Sequence, residues 1–464
     1  MREVELAIVG AGPAGMAAAI EAAKSGVKIT LIDENPKPGG QIYQQLPGSF
    51  SIRDINQMGK DYVQGQKLLE KIDKYGSNID FLEGAVVWGA FEDRTLEIVY
   101  QEKNQTLKPQ KLILAEGALE RPMPFPGWTL PGVYAAGGVQ RMVKTQRVLP
   151  GKRFILTGTG PLQLVVANQL IRAGAEVAGV LEAGSAEGWW KHLSKIWGQW
   201  ELVKDGLRYL NELRKAKVPF LSPYGIVEAH GNDHVTGATY AKLDKDWKPI
   251  AGTEKVLELD TICVGYGFIP SIRLSELLGC KHRYHHNLGG WISEHDIYME
   301  TSVPGVFVAG DGAGVAGSMV AIEEGRLCSM RACNQLGRIK ESELERLSSP
   351  IFKKLKEMRK FRTALDELSA IRPGWFTRIR DDTIICRCEE VTASEIRKRI
   401  AEGATNVNEI KFFSRAGMGH CQGRMCESSL QALLTLETNR PIEEVGRLTS
   451  RPPIRPIPSG QLLE

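Results

Sequence analysis

Residues 4–9, VELAIV, are continuously hydrophobic except for one glutamate and run into Gly10-Ala11-Gly12-Pro13-Ala14-Gly15. A helix-forming run, MAAAIEAAKSG, follows, and a second apolar stretch, VKITLI, ends on Asp33 and Glu34. Nothing else in the chain restricts its fold so tightly. A buried strand must turn sharply at Gly10, expose bare backbone at Gly12 and let a helix close on the strand at Gly15. The N–H groups at the start of that helix then face a phosphate. Asp33 lies 23 positions after Gly10, where a carboxylate binds ribose hydroxyls. A lone GxGxxG says little, but strand, loop, helix, strand and acid in this order specify a dinucleotide site.

The theme returns. RFILT leads into Gly158-Thr159-Gly160-Pro161-Leu162-Gln163, then a helical VVANQLIRAG and a strand EVAGVL ending at Glu182, 24 positions after Gly158. Gln163 stands where the third small residue belongs, and its side chain is expected to hold helix and strand apart. No arginine pair suited to a 2′-phosphate follows Glu182, which disfavours NADPH. A working NADH site built on Gly158, Gly160 and Glu182, a vestigial site and a site for another adenine nucleotide all stay open.

Three further segments bear on the first site. Gly39-Gly40-Gln41 follows the second strand, KLILAEGA occupies 111–118, and TSVPGVFVAGDG occupies 301–312. The last two resemble the middle and late flavin motifs of glutathione-reductase-like flavoproteins, with Glu116 in place of the usual threonine. The 153–182 unit resembles the inserted NAD(P)-binding domain of the same proteins. The resemblance implies FAD, held by Gly10, Gly12, Pro13, Ala14, Gly15, Asp33, Glu34, Gly40, Gln41, Val86, Ala115, Gly117, Gly310 and Asp311. No Cys-x-x-Cys accompanies these motifs, which argues against disulfide-reductase chemistry.

Of eight cysteines, four crowd near the C-terminal end as Cys386-Arg-Cys388 and Cys421-Gln-Gly-Arg-Met-Cys426. Between them runs a helical stretch, so a helix pair can bring the second thiol pair back to the first. Four thiolates at one point suit zinc or an iron–sulfur cluster. Cys-x-Cys is less typical of structural zinc, and a [2Fe-2S] cluster is the favoured reading. Lys411, Arg415, Arg387 and Arg424 stand near enough in sequence to offset its negative charge. His420 reads as a surface or neighbouring residue rather than a ligand. The domain resembles the bacterioferritin-associated ferredoxin type, with Cys-x4-Cys replacing its Cys-x2-Cys.

The formal net charge of +4 over 464 residues gives no nucleic-acid footprint. No apolar run reaches bilayer length and no signal peptide is evident, so a cytoplasmic chain is expected, with peripheral contact on the inner face of the membrane left open.

The stretches ALERPMPFPGWTLPGVYAAGGVQ (118–140), VGYGFIPS (264–271) and GMGHCQGRMC (417–426), with the tail RLTSRPPIRPIP, sharpen the match. The chain resembles the alpha (A) subunit of heteromeric dye-linked amino-acid dehydrogenases, the group of proline and hydroxyproline dehydrogenases, opine oxidases and hydrogen cyanide synthase. That resemblance implies an electron-transfer subunit of a hetero-oligomer. Substrate oxidation would fall to an FAD-containing, amino-acid-oxidase-like beta subunit, and a small ferredoxin-like subunit is a further expected partner. It also admits FMN at a subunit interface, which no residue of this chain establishes. An autonomous NADH-dependent flavin reductase and a non-catalytic assembly scaffold are the alternatives.

The expected architecture is α/β: two dinucleotide-binding Rossmann domains with a small C-terminal helical [2Fe-2S] domain. The FAD domain takes residues 1–150 and 265–335, the insert 151–264, a helical connector 336–378, the cluster domain 379–440 and an extended Pro/Arg-rich tail 441–464. Cys280-Lys-His282-Arg-Tyr-His285-His286 reads as a solvated loop rather than a metal site, and Cys328 and Cys333 as core residues. Trp190, Leu193 and Trp197 would share one helical face, as a lid, a core contact or a docking surface.

Overall fold

The computed structural model describes residues 1–52, 55–185 and 200–462. The Trp190, Leu193 and Trp197 face lies outside the described residues. Two compact units emerge, one from 1–119, 269–360 and 449–464, the other from 120–268 and 361–448.

The first unit is built on a sheet of strands β1 (Arg2–Val9), β2 (Ile29–Asp33), β3 (Ile79–Glu83), β4 (Val86–Ala90), β5 (Leu96–Tyr100) and β6 (Lys103–Leu114). Their order is β3-β2-β1-β6-β5-β4, and a short strand Val306–Val308 pairs with β6. Pairing is parallel from β3 to β6 and antiparallel across β6, β5 and β4. Helix α1 (Pro13–Lys24) joins β1 to β2, and its buried residues are mostly alanine. Small side chains allow close packing. A Cβ on Gly325, in the helix Ser318–Gln335, would stand 2.1 Å from the Ala14 carbonyl oxygen. Ser329 of the same helix donates to the Ala18 carbonyl at 2.8 Å. Cys328 and Cys333 are buried there.

The second unit holds two sheets and a helical module. Its parallel sheet includes Arg153–Gly158, Glu176–Glu182 and Thr261–Gly265, with Val133–Ala135 on the far side of the last. That pairing explains why the unit begins at Glu120 rather than at 151: residues 133–141 complete the inserted sheet and its core instead of the FAD domain. A three-stranded antiparallel sheet, Tyr224–His230, Gly237–Lys242 and Lys255–Glu258, belongs to the same unit, and the rest is a small helical module. Strand Ile384–Cys386 pairs with Val391–Thr392, and helices Ala393–Ala401, Val407–Ser414 and Glu427–Thr438 follow. Thr392 and Asn406 cap the first two of these helices with their side-chain oxygens.

Arg378, just before this module, ties the chain to the antiparallel sheet that contains Ile226. Its guanidinium donates to the carbonyls of Ile226, Trp247 and Trp375 and lies 3.7 Å from the centre of the Trp375 ring. Burial pushes its pKa down to about 10.

Three expectations change. The connector is mainly one helix, Glu341–Ser369, and the division between units falls inside it. The histidine-rich segment is a hairpin, His282–His285 against Gly290–Ser293, with the His282 Nε2 2.9 Å from Ser275 Oγ. The stretch from 441 is not extended throughout, since Ile442–Val445 is helical, and from Thr449 the chain packs with the first unit.

Candidate functional site

The first glycine loop requires glycine for reasons visible atom by atom. Gly10 has a φ of +100°, and a Cβ there would lie 2.3 Å from the Ala115 carbonyl oxygen. A Cβ on Gly15 would lie 1.8 Å from the Gly10 oxygen. Strand end and helix start are therefore in backbone contact. Pro13 opens α1 and no side chain caps Gly12, which leaves the helix start facing the loop with its positive end.

Other segments converge on the same place. Gly39 donates its N–H to the Ala11 carbonyl at 2.8 Å, bringing Gly40 so close that its Cβ would stand 2.8 Å from the Gly12 Cα. Gly310 has a φ of +70°, and its Cβ would meet Ala14 at 3.0 Å. Gly312 faces the Gly117 carbonyl. Asp311 accepts the N–H groups of Ala316 and Gly317 at 3.1 and 3.2 Å, which fixes its carboxylate. Gly10, Gly12, Pro13, Ala14, Gly15, Gly40, Ala115, Gly117, Gly310 and Asp311 thus line one cradle. Bare backbone on several sides of a helix start fits a pyrophosphate-bearing cofactor.

Asp33 Oδ2 accepts the Ala11 N–H at 2.6 Å, and Oδ1 accepts the backbone and side-chain N–H groups of Asn35, each at 2.8 Å. Much of its accepting capacity serves the loop itself. Ala85 donates to the Asp33 carbonyl and Gly84 to that of Asn35, placing Val86 beside this corner.

Sequence reasoning missed the support beneath the late motif. Glu324 accepts the Gly310 N–H at 3.0 Å and pairs with Arg359 at 2.9 Å. Burial raises its pKa to about 7 against the pull of Arg359. The available signal was the pair Glu323-Glu324 directly after the apolar run 319–322.

In the second loop, Glu182 repeats the role of Asp33. It accepts the N–H groups of Gly160 at 3.1 Å and Gly184 at 2.8 Å. Burial pushes its pKa up to about 7. Gly158 holds backbone contact with Gly265, and Gln163 lies over it, the amide nitrogen 3.1 Å from where a Gly158 Cβ would be. Gln163 is 1% exposed, and among the described residues neither of its polar side-chain atoms has a partner. The Gln163 side chain thus occupies this loop where the first has Gly15.

The helical module does bring the four thiols together, in two pairs of unlike environment. Cys386 and Cys426 are buried; Cys388 and Cys421 are half-buried. Cys426 donates to Cys386, which holds Cys386 down to about 6 and drives Cys426 upward. The Gly417 N–H points at Cys386 Sγ from 3.5 Å. Cys388 contacts Cys421, and burial raises its pKa. Among the described residues no three His, Cys, Asp or Glu side chains close on one point as a single ion demands. Four thiols in two contacting pairs, with backbone N–H donors, form the donor set that a two-iron cluster takes. A Cβ on Gly419 would stand 2.3 Å from that of Cys388, so only glycine fits there. His420 is exposed, its Nε2 3.8 Å from Cys388 Sγ. Arg415 pairs with Glu389 at 2.9 Å rather than standing as a free counter-charge.

Comparison with known proteins agrees with both halves of this picture. Residues 4–325 match the family model for pyridine nucleotide-disulphide oxidoreductases, and residues 384–435 match that for the BFD-like [2Fe-2S] binding domain. The HcnB subunit of hydrogen cyanide synthase from Pseudomonas aeruginosa is 36% identical over 97% of this chain and 96% of its own. The A subunit of opine oxidase from Rhizobium meliloti is 32% identical over 99% of this chain and 87% of its own. Among solved structures, L-proline dehydrogenase from P. horikoshii superposes with a TM-score of 0.72 at 19% identity, over 99% of this chain and 79% of that one.

Proposed function

The chain belongs to the pyridine nucleotide-disulphide oxidoreductase family and carries a BFD-like [2Fe-2S] domain, and on that premise we propose that it is the electron-transfer subunit of a heteromeric amino-acid dehydrogenase. It is a flavin-dependent oxidoreductase whose cofactors are FAD and a [2Fe-2S] cluster. FAD supplies a two-electron couple and the cluster a one-electron couple, so one chain joins the two kinds of transfer. The observation that carries this reading is the coexistence, in one polypeptide, of the flavin cradle and the four paired thiols, with no pair of redox cysteines beside the cradle.

Each part of the chain has a defined task. The start of α1 and the glycines around it bind the pyrophosphate. Asp311, held by two backbone N–H groups, orients the cofactor. Cys386, Cys388, Cys421 and Cys426 are the cluster ligands, and the half-buried pair, Cys388 and Cys421, marks the edge open to an acceptor.

The substrate would be oxidised on a separate FAD-containing, amino-acid-oxidase-like subunit, with proline-like amines, opines and glycine as the candidate classes. Relatives named as subunits of hydrogen cyanide synthase and opine oxidase support that division. A small ferredoxin-like subunit is a further proposed partner. FMN at a subunit interface and an adenine nucleotide at Gly158, Gly160 and Glu182 complete the proposal. Among the described residues no helix is long and apolar enough to cross a membrane. A site in the cytoplasm, with contact to the membrane through a partner, is proposed.

Affinity capture of the tagged chain from its own cell, under anaerobic conditions, tests the reading. Co-purification of an oxidase-like flavoprotein, with amine-dependent dye reduction only by the complex, is expected. Saturable flavin bleaching by NADH with the chain alone would replace the relay by an NADH-dependent flavin reductase. Protein that stays colourless after FAD addition and cluster reconstitution would leave only a scaffold.

A further inference from the structure

The segment that begins at Thr449 lies at the flavin cradle's acidic corner, inside the same unit. Arg273 donates to the Ser450 hydroxyl at 3.1 Å, and that hydroxyl donates to Glu276. Ile454 donates its N–H to the Trp88 carbonyl at 2.8 Å and buries its side chain in the unit's core. The tail is thereby pinned along β4, and the next residue, Arg455, reaches Glu34. One Arg455 nitrogen approaches both Glu34 oxygens, at 3.1 and 3.0 Å.

We propose that this tail is part of the adenosine site, with Arg455 a binding residue for the adenosine half of FAD. The proposal rests on the flavin reading above. A ribose offers two hydroxyl donors, and an oxygen of a carboxylate accepts about two hydrogen bonds. Asp33 Oδ1 already holds two, both from Asn35, and Oδ2 holds one. Asp33 alone therefore has room for one more. Glu34 is the adjacent carboxylate, and each of its oxygens retains an acceptor position when paired with Arg455. Arg455 sets the direction of Glu34 and offers a flat cationic face to a purine ring. Three segments then meet at the adenosine end: Asp33–Asn35, the Gly84–Val86 turn tied to it, and the tail.

Glu34 and Arg455 are both partly exposed, with side chains 48% and 36% accessible. An exposed ion pair of this kind adds little to folding. A large effect of Arg455 on flavin retention would therefore report binding rather than stability.

The test is the rate of spontaneous FAD release from the full-length holoprotein, read as the rise of free-flavin fluorescence after dilution. Arg455→Ala and Glu34→Gln are each expected to speed release about tenfold, with Tm of the flavin-free protein unchanged. The double variant should be faster than either single one but fall short of the product of the two effects. Arg455→Lys should recover only part of the effect, and Lys24→Ala, at another surface pair, none. Release within twofold of wild type for both Arg455→Ala and Glu34→Gln would overturn the proposal. Wild-type protein that holds no FAD would instead sink the flavin reading beneath it.

Discussion

The Glu182 carboxylate accepts the Gly160 N–H at 3.1 Å, as the Asp33 carboxylate accepts that of Ala11 at 2.6 Å. The two loops thus share one bracing device, an acid at the end of the second strand tied back to the glycine turn. Among the described residues no cation pairs with Glu182, and burial dominates its titration.

Burial makes Glu182 a source of pH-dependent stability. Its pKa is raised in the folded chain from 4.5 to about 7, so the folded state holds the proton more tightly than the unfolded one. Its contribution is complete below pH 4.5 and is lost as pH rises through 7. Glu182→Gln should match or trail the wild type in urea at pH 5 and gain on it by about 1–3 kcal/mol by pH 8. A difference that does not change with pH would refute the assignment.

Replacement of any one of Cys386, Cys388, Cys421 and Cys426 by serine should abolish the cluster's visible absorption while the flavin spectrum persists. Iron analysis of the anaerobically prepared wild type should give two atoms per chain. Serine at Cys328 or Cys333, buried in the flavin-binding unit, should leave the iron content unchanged. Zinc in place of iron in the wild type would remove the electron exit.

Gly15→Ala places a methyl 1.8 Å from the Gly10 oxygen, and the helix must move off the loop to admit it. FAD binding should be lost and stability should fall by about 3 kcal/mol or more. Gln163→Ala, at the equivalent position of the second loop, deletes an amide with no partner among the described residues. Relief of that unpaired group offsets the space left behind, and the change should stay within about 1 kcal/mol. Equal losses in urea melts of the two variants would contradict this account.

Arg378→Met leaves three carbonyls, those of Ile226, Trp247 and Trp375, without the donor they share. Loss of about 2–4 kcal/mol is expected, visible as a lower Tm, with FAD occupancy retained. Lysine cannot reproduce the planar fork and should rescue little. An Arg378→Met protein as stable as wild type would show that the contact is incidental.

The parts legible in the sequence are those where one residue type alone satisfies the geometry. Gly10, Gly15 and Gly40 are needed because a Cβ would collide with backbone, and four cysteines are readable because few roles demand them. Asp33 was placed correctly at the strand end, yet its bonds to Ala11 and Asn35 depend on how the loop folds back. Arg378, Glu324 and Arg455 were not legible. Arg378 binds carbonyls, which every residue possesses, and Glu324 and Arg455 take partners 35 and 421 positions away. The start of the second unit at Glu120 was hidden for the same reason, since the Val133–Ala135 strand finds its neighbour at Ile262–Val264.

The unit that cradles the flavin is assembled from three pieces of chain, the last beginning at Thr449. A ribosome delivers those pieces in order, and the 120–268 and 361–448 unit is fully synthesised before the third of them. Flavin capture with full retention is therefore a late event in the life of the nascent protein, set by the arrival of the piece that carries Arg455.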